Sequence, residues 1–270
     1  MPSDTEQAHT AITLKQAKVL IAGQLGTEMA KLPVRFCKPA YFGASPSRGR
    51  SASINNGTAT LLNFRGTLLA ITCHHVIKEF RRQHADNPNY FFAIANCHFN
   101  PLEQIIVEDE VVDTAVIRVT AEQAAVITSN SNGIGEAFYP INAWPPEQVR
   151  VGDFVAYAGF PGDLREHVSF EGISFGSYSS GACRVTDQYS DYLTCEFEHE
   201  YWIRQFAELE PESLGGLSGG PAFVIRHSAA GIISYEFAGI IYKMHESSES
   251  LYIRQACAIS LALDLNDSAR

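Results

Sequence analysis

Residues 216–225 read GLSGGPAFVI, and the residues after the serine decide the fold. A serine on a strand-to-helix elbow, the arrangement of a parallel α/β sheet, needs a helix directly behind it. Here Pro221 removes a backbone donor, and Ala222-Phe223-Val224-Ile225 continues as a β-rich run. The elbow reading also needs an acid and then a histidine downstream. No acid lies between Ser218 and the first downstream histidine, His227. Ser218 is therefore read in a turn that leads into a strand. The glycines at 215, 216, 219 and 220 open backbone conformations closed to other residues. In such a turn the N–H groups of Gly216 and Ser218 can converge beside the serine oxygen, the geometry that stabilises an oxyanion.

Working outward, strand grammar dominates from residue 34. GTATLLNFRGTLLAIT (57–72) holds two β-rich runs separated by Phe64-Arg65-Gly66, a hairpin signal. YFFAIA, QIIVE, DTAVIRV, DFVAYAGF, GACRV, YLTCEFE and FAGIIYKM extend the series. Asn55-Asn56-Gly57, Pro161-Gly162-Asp163 and Gly215-Gly216 read as turns between them. Many short strands without alternating helices predict an all-β protein, an antiparallel sandwich or barrel. FYPINAWPPEQ (138–148), with three prolines and no strand period, reads as the linker between two β halves. Ahead of the strands, Leu14, Ala17, Ile21, Leu25, Met29 and Leu32 recur at helical spacing. A helix over 13–32 is expected, ended by Pro33. ISLALDLNDSA, from Ile259, predicts a short helix near the end of the sequence.

Composition excludes several classes of function. The formal charge is −10, with no basic run. Phosphate neutralisation dominates nucleic-acid affinity, so neither DNA nor RNA is an expected partner. The apolar runs fall well short of the roughly 18 residues a membrane span requires, so no membrane association is expected. Six cysteines at 37, 73, 97, 183, 195 and 257 lack a pairing rhythm. With no secretory signal in the first twenty residues, free thiols and a cytoplasmic setting are expected.

Chemistry concentrates in three places. In LLAITCHHVIKEF a β-run ends at Thr72 and two adjacent histidines come next, with a short helical segment through Phe80. In EVVDTAVIRV, Asp113 is an isolated acid at the entrance to an apolar strand, and burying a lone carboxylate is expensive without a hydrogen-bonding partner. An imidazole N–H is one such partner. The third place is the serine turn. Cys73, His74, His75, Cys97 and His98 could suggest a metal site. Adjacent residues on extended chain point to opposite sides and no ligand spacing is present, so no metal is expected.

These motifs together resemble the trypsin/chymotrypsin-like serine peptidases, in particular their disulfide-poor bacterial branch, over roughly residues 40 to 262. ITCHHV resembles the family's histidine motif, DTAVI its acid motif and GLSGGP its serine motif, in the family's order. The resemblance implies two antiparallel β-barrels with an N-terminal helix and a short C-terminal helix. It divides the chain into a helical extension (1–33), a first barrel (34–140) carrying His75 and Asp113, and a second (141–270) carrying Ser218. Choosing His75 over His74 rests on this pattern. It further implies a serine endopeptidase acting on a protein or peptide through an acyl-enzyme. His75, Asp113 and Ser218 would be its triad, Gly216 and Ser218 its oxyanion hole, and no cofactor is called for.

Departures from the family carry information too. Val76 and Leu214 stand where the secreted branch has cysteines. Leu217 replaces the aspartate that captures a new N-terminus in zymogen activation, so that route is expected to be absent. Restraint by a regulatory partner protein or by the N-terminal helix is expected instead. Glu212, six residues before the serine, falls at the base of the family's specificity pocket, with Tyr242 and Met244 on its wall and Lys243 close by. A modest preference for Lys or Arg is the result expected. The alternative is a module on the same fold that binds peptides or protein partners with little turnover.

Overall fold

A computed structural model of the chain describes residues 23–44, 53–129, 138–167, 172–196, 211, 213–227 and 233–261. Two antiparallel β units make up the all-β fold. In the first, β1 (Cys37–Ala44), β2 (Ser53–Phe64), β3 (Thr67–Thr72), β4 (Tyr90–Ile94), β5 (Cys97–His98), β6 (Ile105–Asp109) and β7 (Thr114–Arg118) pair in the order β5-β4-β1-β2-β3-β7-β6. A further strand, β8 (Tyr139–Ile141), adds in parallel to β2. In the second unit, β9 (Phe154–Gly159) leads to a two-stranded ribbon of β10 (Arg165–His167) and β11 (Ile173–Phe175). Four more strands come after it: β12 (Tyr178–Gln188), β13 (Tyr192–Glu196), β14 (Pro221–His227) and β15 (Ile233–His245). With β9 and β16 (Ser250–Gln255) they close a barrel in the order β12-β13-β16-β15-β14-β9.

The expected β2–β3 hairpin forms, with Phe64 opposite Thr67. Arg65 and Gly66 both take positive φ, 50° and 89°, as a two-residue turn matched to strand twist requires. Asn55-Asn56-Gly57 departs from expectation. It is no turn but the middle of β2, with Asn56 opposite Tyr41 and Gly57 opposite Ala40. The glycine serves a close approach instead: a Cβ there would lie 2.9 Å from the Val76 side chain and 3.2 Å from the Ser218 carbonyl oxygen. The segment 138–148 is not wholly a linker either, since Tyr139–Ile141 is a strand. Its side chains tie it down: the Tyr139 hydroxyl donates to the Tyr235 carbonyl (2.8 Å) and Trp144 Nε1 to the Ile259 carbonyl (3.0 Å).

The helix Gln24–Val34 packs on β9 and β12, with Val34 in a small core with Cys37, Ala158 and Phe160. It runs one residue past Pro33, whose ring is accommodated in the last turn. Residues 13–22 of the expected helix lie outside the described residues, as do residues 262–270 of the expected C-terminal one. Before the latter, the chain makes a short 3₁₀ turn, Ala256–Ala258. The helix expected through Phe80 extends over His74–Asp86. An eight-residue helix, Ala121–Thr128, adds an element the strand pattern did not suggest. Its signal was the capping box of Thr120 and Gln123, both bonds of which form.

One core contains Leu61, Ile71, Ile77, Phe80, Val116 and Ile117, and another, inside the barrel, Val155, Tyr157, Val185, Leu193, Val224 and Ile253. Phe223 and Phe237 reach from the barrel strands into the first core. There Phe223 meets Phe36 and Tyr139, at ring-centroid distances of 5.7 and 4.9 Å. This aromatic seam fixes the two units against each other, and the serine turn lies immediately before β14, which carries Phe223.

Candidate active site

Strand pairing brings the first two residues together. Thr72, the last residue of β3, sits opposite Ala115 of β7, so the helix start at His74 faces the residue two before Ala115, which is Asp113. Cys73, at the N-cap, supplies no side-chain cap. Asp113 takes over that role from across the sheet: its Oδ1 accepts the backbone N–H of His75 at 2.9 Å. Its Oδ2 lies 2.8 Å from His75 Nδ1. One carboxylate therefore fixes both the main chain and the ring of the same residue. Asp113 achieves this with φ of 53°, a left-handed conformation that Asp tolerates better than most residues. The carboxylate is 23% exposed and the imidazole 51%, leaving the ring open on its far side.

The neighbouring histidine is engaged elsewhere. His74 is buried, and its Nε2 lies 3.3 Å from Glu108 on β6. Glu108 also accepts a two-pronged bond from Arg81 at 2.9 and 2.6 Å. His74 thus belongs to the clamp that holds the helix on the sheet. Cys73 is buried as well, its thiol donating to the Ile241 carbonyl at 3.4 Å. Burial first, and then the negative charge of Asp113, push this thiol well above its ordinary pKa. Among the described residues, Cys73, His75 and Asp113 group a sulfur, a nitrogen and an oxygen within 4.8 Å of one another. A metal there would have to take the proton from a thiol whose surroundings hold it.

The serine turn is pinned at every carbonyl. Gly215 accepts from Gly162 N–H (2.7 Å), Gly216 from the Thr58 hydroxyl (2.8 Å) and Leu217 from Gly220 N–H (2.8 Å). Ser218 accepts from Thr58 N–H (2.8 Å), Gly219 from the Thr60 hydroxyl (2.7 Å) and Gly220 from Ile241 N–H (2.7 Å). On the donor side, Gly215, Leu217, Gly219 and Gly220 spend their N–H groups on Ser213 Oγ, Leu214, Ile241 and Leu217. Among the described residues, the N–H groups of Gly216 and Ser218 alone in this turn have no acceptor. They are the two donors that the glycine pattern singled out.

Glycine is demanded at three positions of this turn, and at Gly220 a Cβ would lie 2.1 Å from the Ala158 carbonyl oxygen. Gly219 has φ of 92°, and a Cβ there would stand 2.0 Å from the Thr58 carbonyl oxygen and 2.7 Å from Thr72 Oγ1. Gly216 has φ of 105°, with a Cβ position 2.6 Å from both Asn56 Nδ2 and the Phe160 oxygen. The turn therefore rests on β2 and on the end of β3, where the helix bearing His75 begins. Gly57 is the common neighbour of Ser218 and of Val76, the residue after His75.

The expected pocket residues are placed less tightly. Glu212 lies outside the described residues. Strand β15 meets the turn at Ile241, while Tyr242 turns its ring to the Arg254 guanidinium, 4.3 Å from the ring centre. Met244 packs on the barrel core. Sequence reasoning missed Asn56, Thr58, Thr60 and Thr72. The signal for Asn56, Thr58 and Thr60 was polar residues at every second position of one strand: Thr58 and Thr60 are fully buried, so each hydroxyl must have a partner.

No family model and no curated protein matches the chain. Among solved structures it is similar to the active form of the Rv3671c protease from M. tuberculosis, at 14% identity and a TM-score of 0.42. That match covers 87% of this chain and 83% of the other. What the site can do is read from its own atoms. Asp113 orients His75 and the serine turn leaves two amide donors unspent, while among the described residues Ser218 Oγ and His75 share no hydrogen bond. An alcohol, an oriented imidazole and free amide donors are groups of the kind that acyl transfer uses.

Proposed function

We propose that the chain is a serine endopeptidase with a trypsin-like mechanism. Ser218 Oγ attacks the peptide carbonyl, and His75 takes the proton and later returns it to the leaving amine. Asp113 holds the imidazole with its Nδ1 proton facing the carboxylate and stabilises the imidazolium once formed. The N–H groups of Gly216 and Ser218 receive the negative charge that develops on the carbonyl oxygen. The observation that carries this reading is the pattern of spent and unspent bonds. His75 is held at its Nδ1 side by Asp113, and among the described residues the serine turn spends every polar main-chain group from Gly215 to Gly220 except two donors. A fluorophosphonate probe is expected to label the protein stoichiometrically, with mass spectrometry placing the adduct on Ser218. A folded protein that takes no label would leave the peptide-binding module as the better account.

A cytoplasmic setting belongs to the same proposal. No disulfide joins the six cysteines, and five of them are buried. Among the described residues no helix is long and apolar enough to cross a membrane. Restraint by a partner protein or by residues 1–33 is likewise proposed, with the helix Gln24–Val34 lying on the barrel.

Substrate preference is proposed to favour Lys or Arg at the cleaved position, through the charge of Glu212. Lys243, whose charge would oppose this preference if paired with Glu212, is exposed and holds its ammonium 5.7 Å from the Tyr252 ring centre. Cleavage profiling with a peptide library is expected to show a severalfold enrichment of basic residues, reduced in Glu212→Gln. A profile dominated by aromatic or acidic residues would refute it.

A further inference from the structure

On the reading of the site as a serine peptidase, we propose that Thr58, Asn56 and Arg165 are positioning residues of the oxyanion hole. They form a hydrogen-bonded relay that runs from the β10–β11 ribbon to Gly216. The relay begins at Arg165, whose Nη1 donates to the Ile54 carbonyl (2.7 Å) and to Asn56 Oδ1 (3.0 Å). That orients the Asn56 amide, so its Nδ2 donates to the Phe160 carbonyl at 2.7 Å. The Phe160 N–H in turn donates to Thr58 Oγ1 at 3.0 Å. A hydroxyl has one proton, and with this lone pair occupied the proton is directed onto the Gly216 carbonyl at 2.8 Å.

The consequence for the hole comes from peptide planarity. In a trans peptide the C=O and the N–H point in opposite directions. Gly162, from the same loop as Phe160, takes the Gly215 carbonyl, which turns the Gly216 N–H the other way. The Ser218 N–H is turned in the same way by Gly220, whose N–H takes the Leu217 carbonyl. Thr58 holds the peptides next to these two, its hydroxyl the Gly216–Leu217 peptide and its own N–H the Ser218–Gly219 peptide, so that it fixes both hole donors through their neighbours. Its carbonyl is held by Thr72 Oγ1 at 2.8 Å, so Thr58 is itself anchored to the strand that leads into His75. Asn56 closes the remaining escape. The Phe160 carbonyl is the acceptor beside Gly216, and Asn56 already occupies it. A Gly216 N–H that flipped inward would meet the Asn56 amide donor instead of a free oxygen.

The test compares Thr58→Val, which keeps the side-chain shape and deletes the hydroxyl, with Thr58→Ser, which restores it. In Thr58→Val, kcat is expected to fall about 10- to 100-fold with KM changed less than about twofold. Affinity for a peptide boronic acid, whose bound form carries the oxyanion, should fall in parallel. Affinity for the cleaved product peptide should hold. Thr58→Ser should recover kcat to within about threefold, and Arg165→Gln, remote from the serine, should lower kcat with the same signature. A folded Thr58→Val protein with wild-type kcat and boronate affinity overturns the relay. So does one that loses product and boronate affinity alike, the mark of a merely structural role. If Thr58→Val does not fold, the same two outcomes are read on Arg165→Gln. A wild-type protein that takes no fluorophosphonate label overturns the peptidase reading and the relay together. A labelled wild type beside an unaffected variant overturns the relay alone.

Discussion

Ser218→Ala is expected to remove about 10⁶-fold of kcat, together with all fluorophosphonate labelling, while leaving the fold in place. The size of the loss reflects how the parts act as a unit. Without the alcohol there is no acyl-enzyme, and the imidazole has no proton to take from it. What remains is the slower attack of water in a site that still presents two amide donors. The fold should survive because the contacts that seat Ser218 belong to its main chain: its carbonyl accepts the Thr58 N–H at 2.8 Å, and alanine keeps that bond. The stability change should stay within about 0.5 kcal/mol. Thermal denaturation and turnover of a quenched peptide, measured on the same preparation, separate the two effects. Retention of more than about one per cent of wild-type turnover would show that Ser218 is not the nucleophile.

Asp113→Asn is the second large effect, with an expected loss of about 10⁴-fold in kcat. Asparagine tolerates the left-handed backbone that residue 113 adopts, and its carbonyl oxygen can keep the bond to the His75 N–H. Its amide group, however, would then face His75 Nδ1, where the carboxylate now stands at 2.8 Å. A donor in that place selects the tautomer with its proton on Nε2, which cannot accept a proton from serine. The two functions of Asp113 can be pulled apart by a second substitution. Asp113→Ala loses both the ring contact and the cap on the helix His74–Asp86. It should therefore cost about 1 kcal/mol of stability on top of the activity loss. Denaturant titration of the two variants beside their kcat values makes the comparison. An Asn variant with near-wild-type turnover would mean that the carboxylate serves the helix alone.

The same residue shows how far the sequence could be read. An isolated acid before Thr114-Ala115-Val116-Ile117 had to find a partner, and that much is dictated by the cost of burying a charge. That one oxygen would cap the helix and the other hold the ring could not be read. It depends on the pairing of Thr72 with Ala115, which places two distant segments side by side. His74 and His75 were likewise indistinguishable by residue type. Only their tertiary partners separate them: Glu108, clamped by Arg81, beside His74 and Asp113 beside His75. Asn55-Asn56-Gly57 went the other way, with turn chemistry overridden by strand pairing on both sides and by the approach of Val76 and Ser218 to Gly57.

By itself the sequence determined most of the longer strands, the hairpin at Arg65-Gly66 and the glycine turn around Ser218, but not β1, β16 or the short β5, β8, β10 and β11. The features it determined arise from backbone sterics and side-chain alternation, forces that act over a few residues. Only the tertiary structure decided which imidazole meets Asp113 and which amides of the turn stay unspent. It alone made a strand threonine the anchor of Gly216, a residue 158 positions away. Hydrogen bonds of that range do not exist until both sheets have closed, so no local pattern announces them.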